Sequence, residues 1–302
     1  MAEARRGFLL GVIAYTLWGA FPLYWPLLEP SGPVEILAHR MVWSLVVMAL
    51  LIAVLRRRAA LAAVLRDRRT TLLLVVAAVT ITSNWGTYIY GVNSDRVVET
   101  SLGYFINPLV TVLMGVVVLG ERLRPAQWWA MGIGAVAVVV LSIDYGRPPV
   151  IALVLAFSFG TYGLAKKSAG VGAIESLAFE TAVIAPFALA FLLWLGATGQ
   201  GHFTGEGAGH VALLVASGVV TAIPLLCFGA AATRVSMTTL GLLQYLAPVL
   251  QFLLGVTLLG EHMPPGRWIG FTLVWLALAV FTVEALRHRR RTLALAAEAS
   301  AV

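Results

Sequence analysis

The chain has 302 residues, of which 60% are hydrophobic and 12% charged, with mean hydropathy +0.91 and a net charge of +7. A soluble domain carries about 25% charged residues, so the composition excludes an ordinary soluble protein and points to the lipid bilayer. The positive charge then reads as basic loops facing an anionic leaflet, with no nucleic-acid partner implied.

An α-helical span needs about 20 apolar residues. Ten such runs follow in chain order: residues 8–28, 34–55, 71–92, 97–119, 126–143, 149–166, 174–196, 209–231, 238–259 and 266–286. The first run follows Arg5 and Arg6 but is too long for a signal-peptide core, and it reads as a retained span. Short joints such as Glu29-Pro30-Ser31-Gly32-Pro33 separate the runs, and the longest, about residues 197–208, is Gly-rich with little chemistry in it. The tail after Arg291 is Ala-rich and is expected to fray. With the N-terminus inside, seventeen Lys and Arg fall on the cytoplasmic side and three outside, and Arg40 lies within the second span. That asymmetry predicts a multi-pass protein of the cytoplasmic membrane with both termini in the cytoplasm.

Shifting the chain by 140 positions aligns 101–128 with 241–268 without a gap and with ten identities, among them Pro108/Pro248, Gly120/Gly260, Glu121/Glu261, Pro125/Pro265 and Trp128/Trp268. The same shift sets Glu35 against Glu175 and Arg40 against Glu180. The expectation is an all-α membrane protein of ten helices in two five-helix repeats, 1–145 and 146–287, with a cytoplasmic tail at 288–302. Five is odd, so the second repeat is inverted, an arrangement that in secondary transporters places substrate between the halves near the midplane.

The stretches EILAHRMVWS (35–44), SLGYFINPLVTVLMGVVVLGERLRPAQW (101–128), IALVLAFSFGTYGLAKK (151–167) and TTLGLLQYLAPVLQFLLGVTLLGE (238–261) resemble the EamA-domain branch of the drug/metabolite transporter superfamily, within it the RarD-type proteins. The resemblance covers nearly the whole chain. It implies a central cavity lined by the first four helices of each half, with peripheral fifth and tenth helices that can mediate a homodimer. It also implies a small-molecule substrate, with export as the direction, and leaves the solute open.

Ionisable groups in a span are expensive and are functional candidates. Glu35 and His39 share a helical face, while Arg40 points elsewhere, to Glu99 or to the facing half. Together they read as an external gate or proton relay, or else as an ion-pair cluster ordering the helix end. Glu175 reads as a solvated acid at a helix start; Glu180 lies deeper, as a substrate or coupling group. Tyr104, Asn107 and Thr111 form one face of the fourth span, and Gln244, Pro248 and Gln251 do so in the ninth. These polar stripes read as cavity lining or as interhelical hydrogen bonding. Tyr15, Trp18, Asn84, Tyr88 and Tyr162 complete the lining. Pro108 and Pro248 are candidate hinges, and Gly120-Glu121 and Gly260-Glu261 mark the repeat as structural hinges where spans end. No Walker A loop, HExxH, Cys/His metal set or nucleophile elbow occurs, so no cofactor, no metal and no enzyme activity are expected. A solute transporter is the leading reading, a passive channel the second and an intramembrane enzyme the third.

Overall fold

The computed structural model describes residues 2–120, 123–232, 234–235 and 243–299. The helices are α1 (Ala2–Gly19), α2 (Pro33–Val54), α3 (Arg58–Arg66), α4 (Arg68–Val92), α5 (Val97–Leu119), α6 (Pro125–Asp144), α7 (Val150–Ala169), α8 (Ala173–Thr198), α9 (Ala208–Ala232), α10 (Leu246–Leu253) and α11 (Pro265–Ala299). Among the described residues eight helices are long and apolar enough to span a bilayer, and Val150–Lys166 and Leu246–Leu258 are shorter apolar helices, which completes the ten spans.

Local chemistry sets the boundaries. Pro33, Pro125 and Pro265 open α2, α6 and α11, where a missing N–H costs nothing. Gly120 and Gly260, the paired glycines of the repeat, both adopt φ of 67°, the left-handed conformation that ends a helix. Glu121 lies outside the described residues.

Four features depart from the expectations. The first span ends early: α1 stops at Gly19, and two short 3-10 helices, Phe21–Leu23 and Trp25–Leu28, finish the crossing because Pro22 and Pro26 cannot continue an α-helix. The basic segment after span two contains a helix of its own, α3. The ninth span is discontinuous, with turns at Gln244–Tyr245, the short α10, and then a π-helical stretch Leu254–Leu258. Pro248 therefore lies in the first turn of α10, where its missing N–H is tolerated, while Pro108 does lie inside α5. The tail is helical to Ala299, continuous with α11.

The two repeats interlace. The strongest packings pair α6 with α11, α4 with α7, α5 with α7, α2 with α8, α2 with α9 and α1 with α9, so helices find their main neighbours in the other half. The list is also its own image under the repeat: α4–α7 maps onto α9–α1, α5–α7 onto α10–α1, and α2–α8, α5–α10 and α6–α11 onto themselves. On the face opposite the termini, Phe21, Trp25, Leu28, Ile36, Ile89 and Leu214 form an apolar plug. α6 and α11 pack chiefly on each other, with Trp128 and Trp129 of α6 exposed as interfacial anchors are.

Candidate functional site

The site is built around the N-terminal half of α2, which enters from the face opposite the termini. Glu35, in its first turn, is 5% exposed. Its carboxylate does not bond His39. It accepts from the backbone N–H of His202 (2.7 Å) and meets His202 Nδ1 (2.8 Å), both in the loop after α8. His39 stacks on Phe203 of the same loop, ring centroids 4.8 Å apart at 22°. Ser31 Oγ and His210 Nε2, 3.0 Å apart, tie the α1–α2 joint to α9. The loop read from sequence as chemically poor is therefore the cap over α2. Its sequence signal was slight: one His and one Phe among glycines.

Glu175 corrects a second expectation. It is 6% exposed and not solvated, and Arg57, in the turn after α2, donates to it at 3.1 Å. The two glutamates that match under the 140-residue shift thus make reciprocal contacts. Glu35 at the start of α2 holds the segment after α8, and Glu175 at the start of α8 holds the segment after α2. Because α2 and α8 run antiparallel, the two contacts lie at opposite faces.

Arg40 is one residue beyond His39 and 2% exposed. It turns to the facing half and not to Glu99: its Nε donates to Thr221 Oγ1 of α9 at 2.7 Å. Its guanidinium lies 4.0 Å from the ring centre of Trp85 and 5.0 Å from that of Trp25. Beside it runs a polar chain contributed by both halves. Tyr104 donates to Asn84 Oδ1 (3.0 Å), Asn84 Nδ2 donates to the Leu155 carbonyl (2.9 Å), and the Tyr88 and Tyr104 rings are 5.8 Å apart. Gln251 of α10 donates to the Trp18 carbonyl (3.1 Å), and Trp18 meets Tyr15 and Phe228 edge-on or tilted. Asn84, Tyr88, Tyr104, Gln251, Tyr15 and Trp18 are thus brought toward one centre. Asn107 is buried a turn away, Thr111 is exposed, and Gln244 lies in the turn before α10.

Tyr162 goes elsewhere. It donates to Glu180 (3.3 Å) and accepts from Lys166 (2.8 Å), while Lys166 pairs with Glu180 at 3.2 Å and Ser176 donates to it at 2.5 Å. Glu180 is therefore a buried acid with a full set of partners inside its own half.

Glu261 has a definite task. Its carboxylate accepts from the backbone N–H groups of Val97 and Val98, the otherwise unpaired donors that open α5. It borders a charged recess of about 200 Å3 shared with Arg96, Arg147 and Arg267. Burial raises its carboxyl from 4.5 to about 6, against the lowering effect of the two N–H groups and Arg267. The folded protein therefore holds that proton more tightly than the unfolded chain. The resulting stabilisation is fully present below about pH 4.5 and is lost as pH rises through about 6. It amounts to roughly 2 kcal/mol. Glu261→Gln is expected to flatten this step, read as the difference in thermal midpoint between wild type and variant from pH 4.5 to 7. Equal pH profiles for the two proteins would refute the assignment.

Comparison with known proteins gives this arrangement a context. The chain is 59% identical to protein RarD of Streptomyces exfoliatus, over 96% of this chain and 92% of that one. It is 40% identical to protein RarD of Escherichia coli (strain K12), over 96% and 98%. The chloramphenicol-sensitive protein RarD of Pseudomonas aeruginosa is 32% identical over the same shares. A crystal structure at 22% identity superposes with a TM-score of 0.60, covering 93% of this chain and 98% of that one, and shares the fold. The model of the EamA-like transporter family matches residues 5–143 and again 148–283. The chain belongs to the EamA-like transporter family, as a multi-pass membrane transporter of the RarD type.

Proposed function

We propose that this transporter carries small organic solutes across the cytoplasmic membrane by alternating access, with both termini in the cytoplasm and export as the working direction. The halves 1–145 and 146–287 rock about the α2–α8 contact. The observation that carries the reading is the reciprocal pair of contacts, Glu35 with His202 and Glu175 with Arg57. Each joins the start of one repeat's second helix to the segment leaving its counterpart. Opening either face separates one contact and leaves the other intact, which is what a two-gate carrier requires and a static pore does not. The broken ninth span supports the same reading, since discontinuous helices supply moving elements and binding groups in such carriers.

Two measurements test it. Glu35→Gln is expected to accelerate amide exchange in residues 199–207 about tenfold, the loss of one charge-assisted contact, without changing residues 55–58. Glu175→Gln is expected to do the reverse. Simultaneous loosening of both faces by either variant would sink the two-gate idea. Reconstituted proteoliposomes with amino acids, aromatic acids and chloramphenicol, the compound in one relative's name, then separate carrier from channel. Counterflow that saturates is expected, and unsaturable flux would favour a channel.

A further inference from the structure

We infer that Arg40 is the anchor for a carboxylate, and that the carried solute is an organic anion with a single carboxylate beside an aromatic or apolar body. This names the solute class for the transport reading above and rests on it. Taking a guanidinium out of water costs several kcal/mol unless a counter-charge compensates it. The other ionic side chains buried to a similar depth have partners: Glu35 has His202, Glu99 has Arg147, Glu175 has Arg57 and Glu180 has Lys166. Arg40 has Thr221 on Nε and aromatic faces on its plane, and no carboxylate pairs with it among the described residues.

The repeat sharpens the contrast. Position 180, its counterpart, holds a glutamate whose cation, Lys166, is supplied from the last turn of α7 within the same repeat. The position that corresponds to Lys166 in the first half is Pro26, next to Trp25, so there the surroundings are rings and no opposite charge. Of the buried polar atoms near Arg40 that lack a partner within the protein, Arg40 Nη1 and Trp25 Nε1 can only donate, while the Tyr88 hydroxyl has Gln251, with its acceptor Oε1, beside it. The two donor-only atoms on the Arg40 side call for a ligand group that accepts. A planar guanidinium with one edge engaged by Thr221 matches a carboxylate in shape and in single charge. Phosphate, at about −1.5 to −2, would bring more negative charge than one arginine neutralises. The aromatic faces of Trp85, Trp25 and Phe21 favour a solute with a flat or apolar body next to its charge.

The test uses the full-length protein in detergent with benzoate, phenylacetate and N-acetyl-phenylalanine, each against its primary amide and against inorganic phosphate. The expected result is a dose-dependent rise in thermal midpoint with at least one acid and none with its amide or with phosphate. Arg40→Met should abolish the rise, and Arg40→Lys should weaken apparent affinity about tenfold. Without ligand, Arg40→Met should unfold at or above the wild-type temperature, because it removes an uncompensated buried charge. A fall of several degrees would assign the guanidinium to holding the helices and overturn the proposal. So would equal shifts with acids and amides, or no shift with any acid. Counterflow of the binding acid in proteoliposomes keeps the two readings apart. Binding without movement would fail the transport reading alone. Saturable movement of a neutral solute, unaffected by Arg40→Met, would fail the carboxylate assignment alone.

Discussion

Gly218→Val is expected to prevent the protein from being recovered as a folded, monodisperse species, and Gly218→Ala to destabilise it by about 3 kcal/mol. A Cβ at this position of α9 would lie 2.5 Å from the backbone carbon of Trp43, 2.6 Å from its oxygen and 2.7 Å from its Cβ. Two of those three atoms are backbone and cannot rotate aside, so α2 and α9 would have to separate. The consequence reaches the site directly. Thr221 is one turn beyond Gly218 on the same face, and it accepts from Arg40 on the same helix that carries Trp43. Spreading the helices breaks that hydrogen bond before it unfolds the bundle, so Gly218→Ala should lose transport more steeply than stability. The control is Gly132→Ala in α6, where a Cβ would meet nothing within 4 Å, and its thermal midpoint should not fall. Thermal midpoints and size-exclusion profiles decide the matter, and a wild-type profile for Gly218→Val would show that the helices do not touch there.

The span pattern was legible because a bilayer imposes about 20 apolar residues per crossing whatever the fold. The repeat was legible because Pro, Gly-Glu and Pro-then-Trp are rare enough in apolar runs to align. What stayed hidden is every contact between distant residues. Glu35 and His39 share a helical face, and periodicity joins them, yet Glu35 bonds a loop 167 positions away and His39 stacks on the next residue of that loop. A helix-start acid such as Glu175 is ordinarily solvated, and nothing local announces that Arg57 will reach it. α3 is invisible to hydropathy because nine residues with two charged ends fall below the length of a span. The break in span nine is hidden because α10 and its flanks are mostly apolar apart from Gln244, Gln251 and Thr257, and hydropathy reports burial in lipid without reporting helical continuity. Arg40 shows the middle case: its offset around the helix separates it from His39, but the sequence offers Glu99 as readily as the facing half, where Thr221 is its partner.

Glu99 was unavailable to Arg40 because it serves the helix start of α7. It is 2% exposed, accepts from Arg147 Nη2 at 2.8 Å and takes the backbone N–H of Ile151 at 3.2 Å. One carboxylate thus joins the first turn of α5 to the first turn of α7, just after the junction between the repeats. Arg147→Ala is expected to cost about 3 kcal/mol, the lower end for breaking a buried pair, because the arginine itself is partly exposed and water screens its side of the contact. The penalty comes from the carboxylate left behind, not from the arginine removed. Glu99→Gln, which keeps an acceptor for Ile151 and a partner for Arg147, should cost less, about 1–2 kcal/mol. The double variant Arg147→Ala with Glu99→Gln should then be more stable than Arg147→Ala alone, because no buried charge remains. That inversion is the discriminating result, read as thermal midpoints in a double-mutant cycle. If the double variant is instead the sum of two losses, the pair does not interact, and the packing of α5 on α7 must hold the junction without it.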